Sequence, residues 1–235
     1  MRKSTVDEIR ARFDGDVERF SNLESGQTAA IDGALCLGLI AEAAARTTPG
    51  ARHVLDVGCG AGNFTIRLHG KLPFRHATLV DLSLPMLTRA RERVGAAGVE
   101  TEIVQSDLRE ARFPDGSFDI ILAAAVLHHL REDHEWESVF QNFHRWLRPG
   151  GSLWIFDLVA HEIPAVETIQ SERYADYLRG VGGDDYAKAI FEYVEQEDSP
   201  RPLTYQLDLM RHSGFAGIDV LHKNATFAAF GGVRK

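Results

Sequence analysis

The sequence predicts one α/β domain, a mainly parallel sheet with helices packed on both faces. Three observations predict it. Strand-like and helix-like runs alternate from about residue 50 onward. The strand-like runs are apolar at consecutive positions, as strands buried on both faces must be. The length, 235 residues, suits one such domain and provides a sizeable core.

The elements follow in order. Residues 1–48 read as a helical cap, with Val17, Phe20 and Leu23 at helical spacing, then the Ala- and Leu-rich run Ala29–Ala45, stopped by Pro49-Gly50. His53–Val57 is the first strand. Gly58, Gly60 and Gly62 turn the chain into a helix that starts near Asn63 and carries Phe64, Leu68 and Leu72 on one face. Leu79–Leu82 is the second strand. Ser83 suits an N-cap, Pro85 the first turn, and Met86, Leu87, Ala90 and Val94 the buried face of the helix that follows. Thr101–Gln105 and Phe118–Ala123 are the third and fourth strands, with Asp119 expected as a turn or surface residue. Trp136, Val139, Phe140, Phe143 and Leu147 trace the next helix face, closed by Pro149-Gly150-Gly151 before a fifth strand, Ser152–Leu158. Residues 49–159 thus form the core. The polar, tyrosine-bearing stretch 160–203 reads as a helical lid inserted after strand five. Residues 204–235 close the domain with a helix to Ser213-Gly214 and a hairpin of Ile218–His222 and Thr226–Phe230.

Composition excludes several classes. A net charge of −8 without a basic run argues against nucleic acid as the main partner. Cys36 and Cys59 are the only cysteines, one in an apolar helix and one in the glycine turn, so no disulfide is expected and a reducing, cytoplasmic setting fits. No apolar run reaches membrane-spanning length, and no membrane partner is expected.

The chemistry concentrates in the glycine turn. Glycine permits positive φ and close approach of a ligand to the main chain, and amides at the next helix start favour polar or anionic groups. Asp81 ends the second strand about 20 residues later, where a carboxylate meets ribose hydroxyls. The glycine spacing differs from the dinucleotide fingerprint, which wants its third glycine one position later, so hydride transfer is disfavoured. His128-His129, with Asp133 and His134 nearby, invites a metal reading. Adjacent side chains are expected to diverge, so no metal is expected. His129 is kept as a candidate general base, against plain packing beside the pocket; no other catalytic residue is assigned.

The chain resembles the class I S-adenosylmethionine-dependent methyltransferases in Leu55-Asp56-Val57-Gly58-Cys59-Gly60-Ala61-Gly62, Val80-Asp81-Leu82-Ser83 with Met86-Leu87, Ser106-Asp107-Leu108, Phe118-Asp119-Ile120-Ile121, Val126-Leu127-His128-His129-Leu130 and Leu147-Arg148-Pro149-Gly150-Gly151. The resemblance implies a Rossmann-like seven-stranded sheet, order 3-2-1-4-5-7-6 with strand 7 antiparallel, and S-adenosyl-L-methionine as cofactor. It implies that Gly58, Cys59 and Gly60 pass beneath the methionine part and that Asp56 orients the loop or reaches the amino group. Asp81 would accept from the ribose, Leu82 and Met86 would flank the adenine, Asp107 and Leu108 would bond its edge, and Ala123 and Ala124 would line the far wall.

Methyl transfer needs an acceptor held in line and water kept out. Phe13, Arg19 and Phe20 are the candidate cap residues, and Tyr174, Tyr177 and Tyr186 the candidate pocket residues from the insertion. The expected acceptor is a small molecule, and the exposed insertion could pair two copies as a homodimer. Two alternatives stand. The opening Phe13-Asp14-x-x-Val17-x-x-Phe20, the Thr204–Gly214 helix and the closing Thr226–Gly231 also resemble the carboxy-S-adenosylmethionine synthases, although Lys188 stands where an arginine is wanted and Ala124 where that group has asparagine. A non-catalytic cofactor-binding partner protein is the other.

Overall fold

A computed structural model describes residues 2–22 and 28–235; Leu23 lies outside the described residues. Seven strands form one sheet in the order β3-β2-β1-β4-β5-β7-β6. β1 (His53–Val57), β2 (His76–Asp81), β3 (Glu100–Gln105), β4 (Phe118–Ala124) and β5 (Leu147–Leu158) are parallel. β6 (Phe215–Asn224) and β7 (Phe227–Arg234) close the edge, β7 running antiparallel to both its neighbours. The parallel strands direct their C-terminal ends to one side, where such sheets bind ligands.

Each strand alternates between two cores. Val54, Ile120 and Leu122 face one core, with α3 (Gly33–Thr47), α4 (Asn63–His69), α5 (Leu84–Ala96) and part of α7 (Pro164–Glu197). Leu55, Val57, Ile121 and Ala123 face the other, against α6 (Asp133–Trp146) and α8 (Leu203–His212). Trp136, Phe140, Phe143 and Trp146 of α6 are fully buried there.

Several elements differ from the sequence reading. β5 begins at Leu147, so Pro149-Gly150-Gly151 lies inside the strand, whose exposed start leaves its proline without a ladder bond to lose. The α3 helix starts at Gly33, because Asp32 takes a left-handed conformation that breaks the run from Ala29. The hairpin strands run longer than their apolar stretches. The insertion is one long helix, α7, interrupted at Gly183, whose φ of 82° and ψ of −176° no helix accommodates. Asp119 is more than a surface group: its Oδ2 accepts from the Arg52 and His53 amides at 2.8 and 2.9 Å, tying the start of β1 to β4.

The cap docks by polar side chains. α1 (Val6–Gly15) opens with a capping box of Thr5 and Glu8. Ser83 caps α5 and donates to Asp14 Oδ1 at 2.6 Å, and Asn63 donates to the Phe20 carbonyl at 2.9 Å, holding α1 and α2 (Val17–Ser21) over the strand tips. Among the described residues no helix is long and apolar enough to cross a membrane.

Candidate active site

The tips of β1, β2 and β4, roofed by α1, α2 and α7, enclose a cavity of about 400 Å³, within the usual range for small-ligand sites. Its floor is the glycine turn. Gly58 has φ +65°, and a Cβ there would lie 2.5 Å from Val126 Cγ2, so only glycine lets this turn pass under the loop after β4. The Cys59 amide donates to the Val80 carbonyl at 3.0 Å, locking the turn to β2.

Two acids face this floor, Asp56 buried and Asp81 half-buried. Asp81 Oδ2 accepts from the Gly60 amide and Oδ1 from the Ser83 amide, each at 2.9 Å. Each oxygen keeps further acceptor capacity toward the cavity. Asp56 is 1 % exposed and accepts from Thr65 Oγ1 at 2.5 Å. Burial, with a smaller contribution from the charge of Asp81 and against the Thr65 bond, pushes its carboxyl up to about 7. Among the described residues no cation pairs with Asp56. A buried acid beside a glycine cradle and lacking a counter-charge fits a ligand bearing an ammonium group.

Leu82, Met86 and Leu108 line the adjoining wall. Met86, fully buried, serves the core and the cavity at once. Asp107 faces the cavity, but Arg109 holds both its oxygens: Nε reaches Oδ1 at 2.8 Å and Nη2 reaches Oδ2 at 2.5 Å, and the same guanidinium pairs with Glu135. Burial opposes ionisation of Asp107, yet Arg109 outweighs it and holds the acid below its ordinary range. Ala124 lines the far wall; Ala123 does not, because strand alternation turns it into the opposite core.

The cap supplies Phe13, Arg19 and Phe20 to the cavity, with the two phenylalanine rings 5.8 Å apart. From α7 come Tyr174 and Tyr186. Tyr177 is displaced from the expected role: half-exposed, it stacks on Tyr174 at 6.4 Å and donates to the Thr28 carbonyl at 2.8 Å, so it buttresses the lid from outside. Tyr193 and Arg12 were missed by sequence reading. Tyr193 lines the cavity with the Arg12 guanidinium 4.6 Å over its ring, and Arg12 donates to buried Glu197 at 2.6 Å. Their helical spacing gave no sign that α1 and the far end of α7 meet. Lys188, 75 % exposed and paired with Glu192 at 3.8 Å, is not part of the cavity wall, which removes the cation that a carboxylated cofactor would need from that stretch.

The histidines do not diverge as expected. They sit in a tight 3₁₀ turn, Leu127–His129, with ring centroids 4.4 Å apart, and both converge on Asp198 just past α7. His128, His129 and Asp198 each bring one donor atom within 4.8 Å of the others. His128 Nδ1 donates to Asp157, whose carboxylate also takes the Leu127 and Leu158 amides at 2.7 Å. Burial would depress His128, but the charges of Asp157 and then Asp198 outweigh it and raise the ring to about 9. His129 shifts the other way: burial first, then the neighbouring charged ring, lowers it and keeps it neutral.

The sheet order is that of a Rossmann-like fold with its cavity at the strand tips. Residues 54–151 match the family described as a methyltransferase domain. Demethylmenaquinone methyltransferase from Listeria welshimeri is 29 % identical over 78 % of this chain and 78 % of its own length. Phosphoethanolamine N-methyltransferase 1 from Arabidopsis thaliana is 31 % identical over 58 % of this chain but 26 % of its own. The structure of Haemonchus contortus phosphoethanolamine N-methyltransferase 2, with phosphomonomethylethanolamine and S-adenosylhomocysteine bound, superposes with a TM-score of 0.68 at 17 % identity, covering 98 % of this chain and 61 % of that one, a likeness of fold. The matched domain, the named relatives and the fold together support a class I S-adenosylmethionine-dependent methyltransferase.

Proposed function

We propose that the enzyme methylates a small, largely apolar acceptor held between the cap and α7. The observation that carries this is that three of the four arginines on the cavity wall are paired with acids and the fourth is bonded to a main-chain carbonyl. Arg12 is paired with Glu197, Arg19 with Asp16, Arg109 with Asp107 and Glu135, and Arg131 with the Ser4 carbonyl, while Phe13, Phe20, Tyr174, Tyr186 and Tyr193 supply the surface. A phosphorylated acceptor needs a free cation or amide cluster to replace its hydration. An apolar ring system needs only this wall. Of the two relatives, the one named for a demethylmenaquinone therefore suits this cavity better than the one named for phosphoethanolamine.

The residues divide the work. Asp56 would face the amino group of bound S-adenosylmethionine, Asp81 its ribose, and Leu82, Met86 and Leu108 its base, with Gly58 and Gly60 beneath. Bound there, the cofactor supplies a methyl group already activated on a sulfonium. Phe13 and Phe20 from one side and Tyr174 and Tyr186 from the other close over the acceptor, excluding water and fixing its approach, which can account for roughly 7–11 kcal/mol of a barrier in the most favourable cases. The test pairs calorimetric binding of S-adenosylhomocysteine with a mass-spectrometric screen for methylated products among hydroquinones, phenols and phosphoethanolamine. Product from the aromatic compounds alone is expected; product from phosphoethanolamine alone would reject the apolar acceptor.

A further inference from the structure

We infer that Asp198 and His129 form a general-base dyad, and that the acceptor therefore carries a protonated hydroxyl on an aromatic body. The inference rests on the methyltransferase reading and deepens it. His129 Nδ1 lies 3.3 Å from Asp198 Oδ1, an ion-pair contact rather than an aligned hydrogen bond, and both atoms are buried with no hydrogen-bond partner. That contact leaves Nε2 as the free nitrogen of a ring on the cavity wall, edge-on to Phe13 at 6.0 Å. An imidazole oriented on one nitrogen by a buried carboxylate presents a lone pair on the other, as in any carboxylate–imidazole base pair.

The second histidine sets the state of the first. Every element around His129 contributes a charge. His128 shares its turn, Asp157 comes from β5, Asp107 from the loop after β3, and Glu197 and Asp198 from the end of α7; Arg12 of α1 pairs with Glu197, and Lys3, ahead of α1, donates to the Asp198 carbonyl. The Asp157–His128 pair puts a fixed positive ring next to His129, so His129 rests neutral. Two adjacent histidines pushed apart in this way are a charged one and a basic one. When the acceptor O–H gives its proton to Nε2, the new imidazolium faces Asp198. The oxygen lone pair then forms the C–O bond to the donor methyl, and the C–S electrons stay on the sulfur of S-adenosylhomocysteine. A quaternary or already anionic acceptor would have no use for such a base.

The test uses 4-nitrophenol, whose ionisation is visible in absorbance, with the full-length protein saturated with S-adenosylhomocysteine. Wild type should ionise the bound phenol at a pH below its free value, and His129→Gln should lose that shift while binding S-adenosylhomocysteine as well as wild type by calorimetry. With S-adenosylmethionine, His129→Gln should form 4-nitroanisole roughly 10²–10⁴-fold more slowly at low pH and recover as the phenol ionises in solution; Asp198→Asn should fall between. Failure of both proteins to bind S-adenosylhomocysteine would sink the cofactor reading itself. Normal binding of it with no phenol bound, an unchanged absorbance shift in the variant, or stoichiometric zinc retained after dialysis would each overturn the dyad alone.

Discussion

The Gly60 amide donates to Asp81 Oδ2 at 2.9 Å, so the acid at the tip of β2 clasps the turn at the tip of β1. One carboxylate thereby shapes the cradle and faces its ligand. Asp81→Ala should weaken S-adenosylhomocysteine binding by about 1–3 kcal/mol, the cost of removing a charged acceptor from a buried hydrogen-bonded site. Calorimetry measures it directly, and an affinity equal to wild type would place Asp81 outside the ribose site.

Gly58 sits where no side chain fits. Its φ of +65° disfavours any L-residue, and a Cβ would approach Val126 Cγ2 to 2.5 Å. Gly58→Ala should cost about 1–3 kcal/mol of stability from strain and displacement of the neighbouring loop. At this chain length that corresponds to a fall in Tm of about 2–4 °C per kcal/mol. Combining it with Val126→Ala should restore the part due to the clash and leave the part due to φ. A thermal melt of the three variants separates the two, and equal Tm values for Gly58→Ala and wild type would refute the argument.

Asp56 should make cofactor affinity pH-dependent. Its buried carboxyl titrates at about 7 in the free protein. An ammonium group favours the ionised form, and the coupling is reciprocal. Affinity for S-adenosylhomocysteine should therefore rise as pH increases through about 7 and then level off. In Asp56→Asn the rise should vanish. A wild-type binding curve that is flat across neutrality would remove the ammonium from Asp56. The same raised acid opposes folding as pH rises, since the unfolded carboxyl ionises near ~3.9 and the folded one later.

What the sequence made legible were the features that are local. Ile120 to Ala124 and Leu153 to Phe156 are apolar in unbroken runs, so the parallel strands could be read; Gly58 to Gly62 and Asp81 belong to contiguous motifs, so the cradle could be read. The rest depends on contacts between distant segments. Nothing in the spacing of Tyr174 and Tyr177 tells which faces the cavity, since both lie on one amphipathic surface of α7 and only its docking against residues 28–30 decides. Ala123 and Ala124 differ by one position, and one position on a strand reverses the side chain. His128 and His129 looked divergent because neighbours in regular structure are. A 3₁₀ turn and an aspartate some 70 residues away bring them together.

His128 should make stability fall on the alkaline side. Its buried ring is held by Asp157 and Asp198 and titrates at about 9, against ~6.5 in an unfolded chain. A folded value above the unfolded one means the contribution is complete below the unfolded value and is lost as pH climbs through the folded one. His128→Gln keeps a donor for Asp157 but removes the positive charge, leaving a buried acid uncompensated, a change that costs about 3–5 kcal/mol when such pairs are broken. Urea unfolding of the two proteins should show that gap in full at acid pH, below the unfolded value, and narrowing steadily until the ring deprotonates at about 9. If the gap keeps its size across that window, the ring is neutral in the folded protein, and the positive neighbour that holds His129 in its basic form is lost with it.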